Sequence, residues 1–535
     1  MDIIPKPNKQ PLVRQGRYTL PSVLHVETGA FEPWCLAAFI GRFGFEQSIE
    51  QPEDDAWLRL IKNEALLNEG YRLQIDKDGI VVEAADAQGI VWALTTVAEL
   101  ADSSRSLPIL EMEEAPRFRH RGLMLDCARH FFPIDEVKRI IEQISLVKMN
   151  VLHWHLSDDQ GWRIESKRFP LLHERCDEFY TQAEIRDVVE YARLRGVEII
   201  PEIDMPGHTL GLLAAYPKYS CSGDEVDYAS CGGIYRTILC PGKEETFRFL
   251  EALLEEMCGL FPSQRFHIGG DEAPKNEWKV CPACNRRKAE EQLESWEDLQ
   301  GYFSLRVAEL LRGFGKLPVL WNDAIKASKL PENMAVQYWN PQFKKDIQQY
   351  VEGGGSYVYS DMFELYFDYP PAMTPLRRVY HICPSVGNQA AGKIGAETNS
   401  YEPIGIEACL WTEHIRNRVR LERLLFPRLF AVAERAWSRE PDYDGFLQRL
   451  HVKMERSRMA DIACTPVEEC NPQGRKRRRE AVDFLSSIGA AMTPEARKDS
   501  VETTATDIGF MWMFLTKFLK LTDLPSLVLA LRKKL

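Results

Sequence analysis

The chain has 535 residues, 45% of them hydrophobic and 27% charged, with a formal net charge of −12 at pH 7. That length exceeds one small domain and allows a barrel-sized core with accessories, and the composition is that of an ordinary globular protein. The acidic balance lacks the basic face that a nucleic-acid binder carries, so nucleic acid is set aside as a partner.

Met1 to Pro21 carries charges and prolines but no apolar core, which reads as no signal peptide and predicts a cytoplasmic chain, with secretion after leader removal left open. Tyr71, Leu73 and Ile75 alternate with polar residues, Asp78-Gly79 turns the chain, and Ile80 and Val82 resume the alternation. That is a hairpin pattern. Trp92 to Leu100 reads as a short helix, and Pro116 after a run of glutamates marks a boundary. Residues 1–115 are therefore expected to form a small α+β domain.

From Arg121 the pattern alternates strand and helix. The apolar strand candidates are Gly122–Leu125, Val151–Leu156, Glu198–Ile203, Phe266–Ile268, Pro318–Trp321, Ala335–Trp339, Ser356–Tyr359 and Ile406–Trp411. Between them Val137, Ile140, Ile141 and Ile144 share one helical face. Thr181 and Glu184 form a capping box, with Gly196 closing that helix. Further helical stripes are Leu250, Leu253, Leu254 and Met257, then Leu299 to Leu311, and a single run from Arg420 towards Trp437. Eight such units predict a (β/α)8 TIM barrel over residues 116–463. A doubly wound open sheet competes, but no Gly-rich phosphate loop follows the first strand.

After Cys464 the pattern fades, and residues 464–535 are expected to be a tail of uncertain, partly helical structure. Gly474 to Arg479 is a basic run read as a solvated linker. The longest apolar run, Ile508 to Leu515, falls far short of the roughly 20 residues that span a bilayer. The tail from Gly509 to Leu535 has apolar clusters between lysines. Thirteen scattered cysteines suggest reduced thiols. Cys281-Pro282-Ala283-Cys284 has the spacing of half a zinc site, but no second pair stands at a plausible distance. The expectation is therefore no metal, and no cofactor. Oligomeric state is not legible.

Barrel chemistry sits at the C-terminal ends of the strands. There the chain places Asp126 and Arg129, His153-Trp154-His155 and Asp158-Asp159, Glu202, Asp204 and His208, then Asp271-Glu272 after two glycines. Later strand ends carry Trp321-Asn322-Asp323, Tyr338-Trp339-Asn340, Tyr366 and Asp368, and Trp411 and Glu413. Tryptophans, carboxylates and one arginine suit a ligand with apolar ring faces and a rim of hydroxyls, a sugar. A His/Asp-lined mouth also suits a hydrolytic metal, but no His-x-x-x-His helix accompanies it. Two carboxylates of a glycosidase ordinarily flank the bond from opposite faces, roughly 5–9.5 Å apart. Neighbours at one strand end are poorly placed for that, which points to a nucleophile supplied by the substrate.

The segments His267 to Glu272, Arg121 to Asp126, Asn150 to Asp159, Pro201 to His208 and Leu410 to Glu413 resemble the motifs of the family 20 glycoside hydrolases, the β-N-acetylhexosaminidases. Their order along the chain is also the family's. The resemblance covers about Pro116 to Ser438, and the N-terminal unit is similar to the family's small α+β domain. It implies an exo-acting, retaining enzyme that releases terminal β-linked GlcNAc or GalNAc from glycans through an oxazolinium intermediate. Glu272 would be the general acid and then base, Asp271 would hold the acetamido N–H, and Tyr366 its carbonyl. Trp321, Trp339 and Trp411 would wall the pocket, Arg129, Asp368 and Glu413 would bind outer hydroxyls, and His208 with Asp158 would poise Glu272. The family's Tyr-Leu-Asp is Tyr366-Phe367-Asp368 here. A disaccharide-releasing relative of the lacto-N-biosidase kind and a non-catalytic glycan binder on the same scaffold are the alternatives.

Overall fold

The computed structural model describes residues 1–49, 56–326, 334–387 and 401–491. The N-terminal unit is a seven-stranded sheet of β1 (Leu12–Thr19), β2 (Val23–Glu27), β3 (Glu46–Ile49), β4 (Leu58–Lys62), β5 (Tyr71–Ile75), β6 (Ile80–Ala84) and β7 (Ser106–Glu114). The order is β1-β7-β5-β6-β4-β2-β3. The Asp78-Gly79 hairpin pairs β5 with β6 antiparallel, Ile75 opposite Ile80. The inward residues Tyr71, Leu73, Ile75, Ile80 and Val82 are buried under the helix Ala87–Leu100. Asp86 caps that helix by accepting from the Gly89 amide.

Eight parallel strands then close into a barrel: β8 (His120–Asp126), β9 (Val151–His155), β10 (Glu198–Glu202), β11 (Arg265–His267), β12 (Leu317–Trp321), β13 (Ala335–Tyr338), β14 (Ser356–Tyr359) and β15 (Gly405–Leu410). β15 returns to β8 with Leu410 opposite Leu125. The fold is a (β/α)8 TIM barrel preceded by an α+β unit. The strands are short and almost wholly buried, and most are largely apolar, as parallel strands under helices require. The helix stripes meet the barrel as the periodicity demands: Val137, Ile140, Ile141 and Ile144 on Ile134–Leu146, and Leu250, Leu253, Leu254 and Met257 on Glu244–Cys258, are all buried. The capping box of Thr181 and Glu184 opens Gln182–Arg193.

The α+β unit grips the N-terminal end of the barrel, away from the mouth. Arg121, near the start of β8, places its guanidinium 2.5 Å from Glu69, and Lys148 donates to the Tyr71 hydroxyl at 2.9 Å. Trp437 closes the seam, packing into the N-terminal core and donating to Glu114 at 2.9 Å.

Three expectations change. The run from Arg420 to Trp437 is two helices, Arg418–Leu425 and Arg428–Trp437, because Pro427 lacks the N–H that a continuous helix needs. The basic run 474–479 is no linker: it opens the helix Gly474–Ala491, whose Ala481, Val482 and Phe484 pack with Tyr369 and Trp411. Cys281 and Cys284 do have partners, since Cys221 and Cys240, from the long connection after β10, close around them. The apolar run 508–515 and the tail 509–535 lie outside the described residues. Among those described, no helix is long and apolar enough to cross a membrane.

Candidate active site

Strand register sets the floor of the mouth. Asp126, His155, Glu202 and His267 stand opposite one another on adjacent strands β8, β9, β10 and β11. Asp126 accepts from the amides of Ala128 and Arg129 at 2.8 and 3.1 Å and from the Thr412 amide and hydroxyl at 3.0 Å. It thereby ties the ends of β8 and β15. Glu202 is fully buried. It accepts from Trp321 Nε1 at 2.8 Å and lies against the imidazoles of His155, His267 (2.9 Å) and His153 (3.0 Å). Burial pushes its carboxyl up, but the three imidazoles outweigh that and hold it well below the usual range. One layer deeper Glu407 bonds His153 (2.9 Å), Gln337 (2.6 Å) and His120 (2.7 Å). Burial disfavours a charged His153, yet Glu202 and Glu407 lift it to about 9.

The two glycines before Asp271 are explained by Asp204. Gly269 and Gly270 have φ of +64° and +99°, and a Cβ on Gly269 would lie 1.6 Å from Asp204 Oδ1. The Gly270 amide donates to that same oxygen at 3.1 Å. The turn leaves Glu272 at φ +43°, a left-handed conformation that costs a non-glycine residue about 1–3 kcal/mol and collects at functional sites. Asp271 is buried, whereas the Glu272 side chain stays 30% exposed. The carboxyls of Asp204 and Asp271 lie together beside His208, with one ligand atom of each within 4.8 Å of the others. Burial, then the charge of Asp271, drives Asp204 well above the usual range, so a proton held by this pair favours Asp204. Asp271 itself is pushed up to about 6, by burial first, with the Glu272 charge adding to it and His208 opposing.

His208, also at positive φ, bridges the acid pairs. Its Nδ1 is 3.2 Å from Asp158 and 3.3 Å from Asp159, and its Nε2 is 3.5 Å from Glu272 and 4.0 Å from Asp271. Burial works against its charge, but Asp158 and the bonds to its carboxylate neighbours raise it well above an ordinary histidine, so it is an imidazolium. Asp158 also meets His155 at 2.9 Å and Arg129 at 2.7 Å.

The pocket wall is aromatic. Trp321 and Trp411 lie 5.8 Å apart at 45°, Tyr366 stacks on Trp339 at 6.1 Å, and Tyr366 and Trp411 meet at 6.2 Å. Trp321 is wholly buried, fixed by Glu202, and Trp339 is held by Asp323 at 2.6 Å. The Asp271 charge acts on the Tyr366 phenol, which burial raises. On the rim the Arg129 guanidinium lies 4.8 Å over Trp411. Burial lifts Glu413 and Arg129 opposes it; burial and then the Glu413 charge lift Asp368 well above its usual range. Arg129 Nε and Asp368 Oδ1 are buried with no hydrogen-bond partner. Unmade buried hydrogen bonds are costly, so this rim is built to receive polar groups from elsewhere.

All eleven site residues singled out in the sequence thus converge on one mouth. The sequence pattern did not point to Glu407, His120 and Gln337, which lie below the C-terminal strand ends, His120 at the very start of β8. Nor did it point to the helix Gly474–Ala491 packing on the aromatic wall. A signal for Glu407 existed: Gly122, whose Cβ would lie 2.3 Å from Glu407 Oε2, is a small residue kept in a strand interior. Three groups in the mouth have donor sets that can hold a metal: His153, Glu202 and His267; Asp158, Asp159 and His208; Asp204, His208 and Asp271. In each, the side chains already answer one another with opposite charge or a shared proton.

Residues 118–440 match the catalytic domain of glycosyl hydrolase family 20, and residues 1–114 match domain 2 of that family. A beta-hexosaminidase of Porphyromonas gingivalis is 33% identical over 420 residues, covering 72% of this chain and 53% of its own length. One from Vibrio furnissii is 34% identical over 414 residues, covering 70% and 66%. The chain therefore spans about half of the first relative and about two thirds of the second. The crystal structure of a beta-N-acetylhexosaminidase from Bacteroides fragilis superposes with a TM-score of 0.79 at 29% identity, covering 88% of this chain and 99% of that one. An exo beta-N-acetylglucosaminidase from Vibrio harveyi, in complex with N-acetylglucosamine, gives 0.75 at 28%, covering 87% and 78%.

Proposed function

The chain belongs to glycosyl hydrolase family 20, and from that premise we propose that it is a retaining exo-β-N-acetylhexosaminidase acting on terminal β-linked GlcNAc or GalNAc by substrate-assisted catalysis. The observation that carries this reading is the Asp204–Asp271–Glu272 arrangement: two neighbouring carboxylates, one buried beside a protonated carboxyl, the other half-open beside an imidazolium. A buried Asp271 kept as the carboxylate beside a protonated Asp204 is suited to accept the acetamido N–H and to face the positive charge that develops as the carbonyl oxygen attacks the anomeric carbon. Tyr366 donates to that carbonyl oxygen and fixes its approach, with Trp321, Trp339 and Trp411 limiting the group to one pose.

Glu272 gives its proton to the departing glycosidic oxygen and then takes one from the water that opens the oxazolinium ring. The negative charge it holds between those steps is met by His208, 3.5 Å away, itself backed by Asp158 and Asp159. Arg129, Asp368 and Glu413 bind the hydroxyls of the terminal sugar, with the unmade hydrogen bonds of Arg129 Nε and Asp368 Oδ1 completed by that ligand.

This scheme fixes the sign of one pH effect. Asp271 must be ionised to act, and its folded value is raised from 3.8 to about 6, so kcat/KM falls as pH drops below about 6. The limb belongs to the Asp204–Asp271 pair. Asp204→Ala removes the protonated neighbour and moves the limb to higher pH, whereas Asp204→Asn, whose amide keeps a donor there, leaves it within a few tenths of a unit. A limb unmoved in both variants would contradict the pairing. The test of the function itself is hydrolysis of aryl β-GlcNAc, β-GalNAc and β-glucoside side by side. The reading predicts turnover of the acetamido sugars alone, and equal turnover of the glucoside would overturn it.

A further inference from the structure

On the flank of the barrel, outside the catalytic mouth, four sulfurs converge. Cys221 and Cys284 Sγ are 3.7 Å apart, Cys240 and Cys284 3.5 Å, and Cys240 and Cys281 3.9 Å, with all four within 4.8 Å of one another. Three are buried and Cys221 is half-buried. Zinc binds thiolate sulfur at about 2.3 Å in a tetrahedron, so neighbouring sulfurs of such a site stand about 3.8 Å apart. The observed separations cluster on that edge length. Pairwise oxidation fits less well, because Cys284 and Cys240 each have two sulfur neighbours rather than one.

The surrounding backbone is arranged for the cluster. Cys221 and Cys240 are brought together by the bridge between Ser220 and Leu239, reinforced by the Cys240 amide donating to the Tyr219 carbonyl at 2.9 Å. Cys281 is the N-cap of the helix Pro282–Glu290, and Cys284 lies in its first turn, where the helix dipole favours thiolate over thiol. Gly242 allows the two halves to touch: a Cβ there would lie 2.3 Å from the Ala283 carbonyl carbon and the Cys284 nitrogen. The sequence hid the site because only Cys281 and Cys284 have a Cys-x-x-Cys spacing. The other two ligands are distant in the chain and meet only through the bridge.

We propose that Cys221, Cys240, Cys281 and Cys284 bind one zinc ion in a closed four-thiolate site that clamps the two long loops flanking the catalytic acid. Four protein ligands leave no open position, so the ion is structural and takes no part in hydrolysis. Its reach into the mouth is through the loops. Cys281 follows Glu272 by nine positions, with Trp278 between them donating to the Leu239 carbonyl at 3.0 Å. From the other side the loop between Cys221 and Cys240 lays the Ala229 amide on the Asp159 carbonyl at 2.8 Å, and the Cys231 carbonyl accepts from Gln160 at 2.7 Å. Gly232 sits against Glu413. This inference does not rest on the proposed reaction and stands or falls on metal content.

The test is elemental analysis of the full chain produced in zinc-supplemented medium and purified without chelator, alongside Cys284→Ser. About one zinc per wild-type chain is expected, released on titration of the thiols with a mercurial, and below about a tenth in Cys284→Ser. Because that variant also risks misfolding, protein produced with cobalt provides the second measurement. Sulfur-to-cobalt charge-transfer absorption is expected beside the visible bands of a tetrahedral centre, and the charge-transfer absorption, which requires thiolate, cannot arise from the carboxylate and imidazole groups of the mouth. Wild-type zinc below about a tenth per chain, cobalt without thiolate absorption, or mass spectra showing the four cysteines as two disulfides would each overturn the proposal.

Discussion

Glu272→Gln is expected to slow the cleavage of glycosides with poor leaving groups by about 10²–10⁴-fold, the usual worth of a positioned general acid, while activated aryl glycosides lose far less in the glycosylation step. The asymmetry follows from what each leaving group requires. A sugar alkoxide must be protonated as it departs; a nitrophenolate need not be. Glutamine retains the shape of Glu272 and the left-handed backbone that aims it, so the loss reports the proton and not the fold. His208 would then face an amide in place of the carboxylate 3.5 Å away, and added azide, which needs no general base to attack the oxazolinium, should speed turnover of the activated substrates. Equal slowing of both substrate types would assign the acid to another residue.

Asp271→Asn is expected to depress both substrate types together, by about 10²–10³-fold in kcat, the range measured when one preorganised group facing transition-state charge is removed. Asp271 acts at the acetamido group, upstream of any distinction between leaving groups. The substitution removes a buried negative charge and places an amide against the protonated carboxyl of Asp204. It also lowers kcat/KM uniformly across aryl glycosides of graded leaving-group ability, so a plot of rate against leaving-group pKa shifts downward without changing slope. For Glu272→Gln the same plot steepens. Two neighbouring carboxylates are thereby separated by the kind of damage each variant does.

The contrast between these neighbours is partly legible in the amino-acid sequence. Strands are readable where short apolar runs end in polar residues, as at Val151 to His155 or Glu198 to Glu202, because a parallel strand under helices must be largely apolar. Their ends are readable for the same reason, and the mouth residues follow. What the chain does not disclose is contact between segments far apart in sequence. Asp204 and Gly269 lie just past the ends of successive barrel strands, more than sixty positions apart, so the need for glycine at 269 is a collision with a side chain that no local pattern announces. Glu407 reads as an oddity within an apolar strand until His120, His153 and Gln337 are seen around it. The basic residues 475–479 mask a packed helix by occupying its first turns, while the apolar residues that anchor it come later, at Ala481, Val482 and Phe484.

The central claim is that the nucleophile belongs to the substrate, and it is tested most directly by aryl β-glycosides whose 2-acetamido group carries zero, one, two or three fluorines. Each fluorine withdraws electron density from the carbonyl oxygen without altering the leaving group. If that oxygen attacks the anomeric carbon, kcat/KM falls steeply and monotonically along the series in the wild-type enzyme. Rates that stay level across the four substrates would show that a protein group or water attacks instead, and Asp271 and Tyr366 would then have no attacking acetamido group to orient.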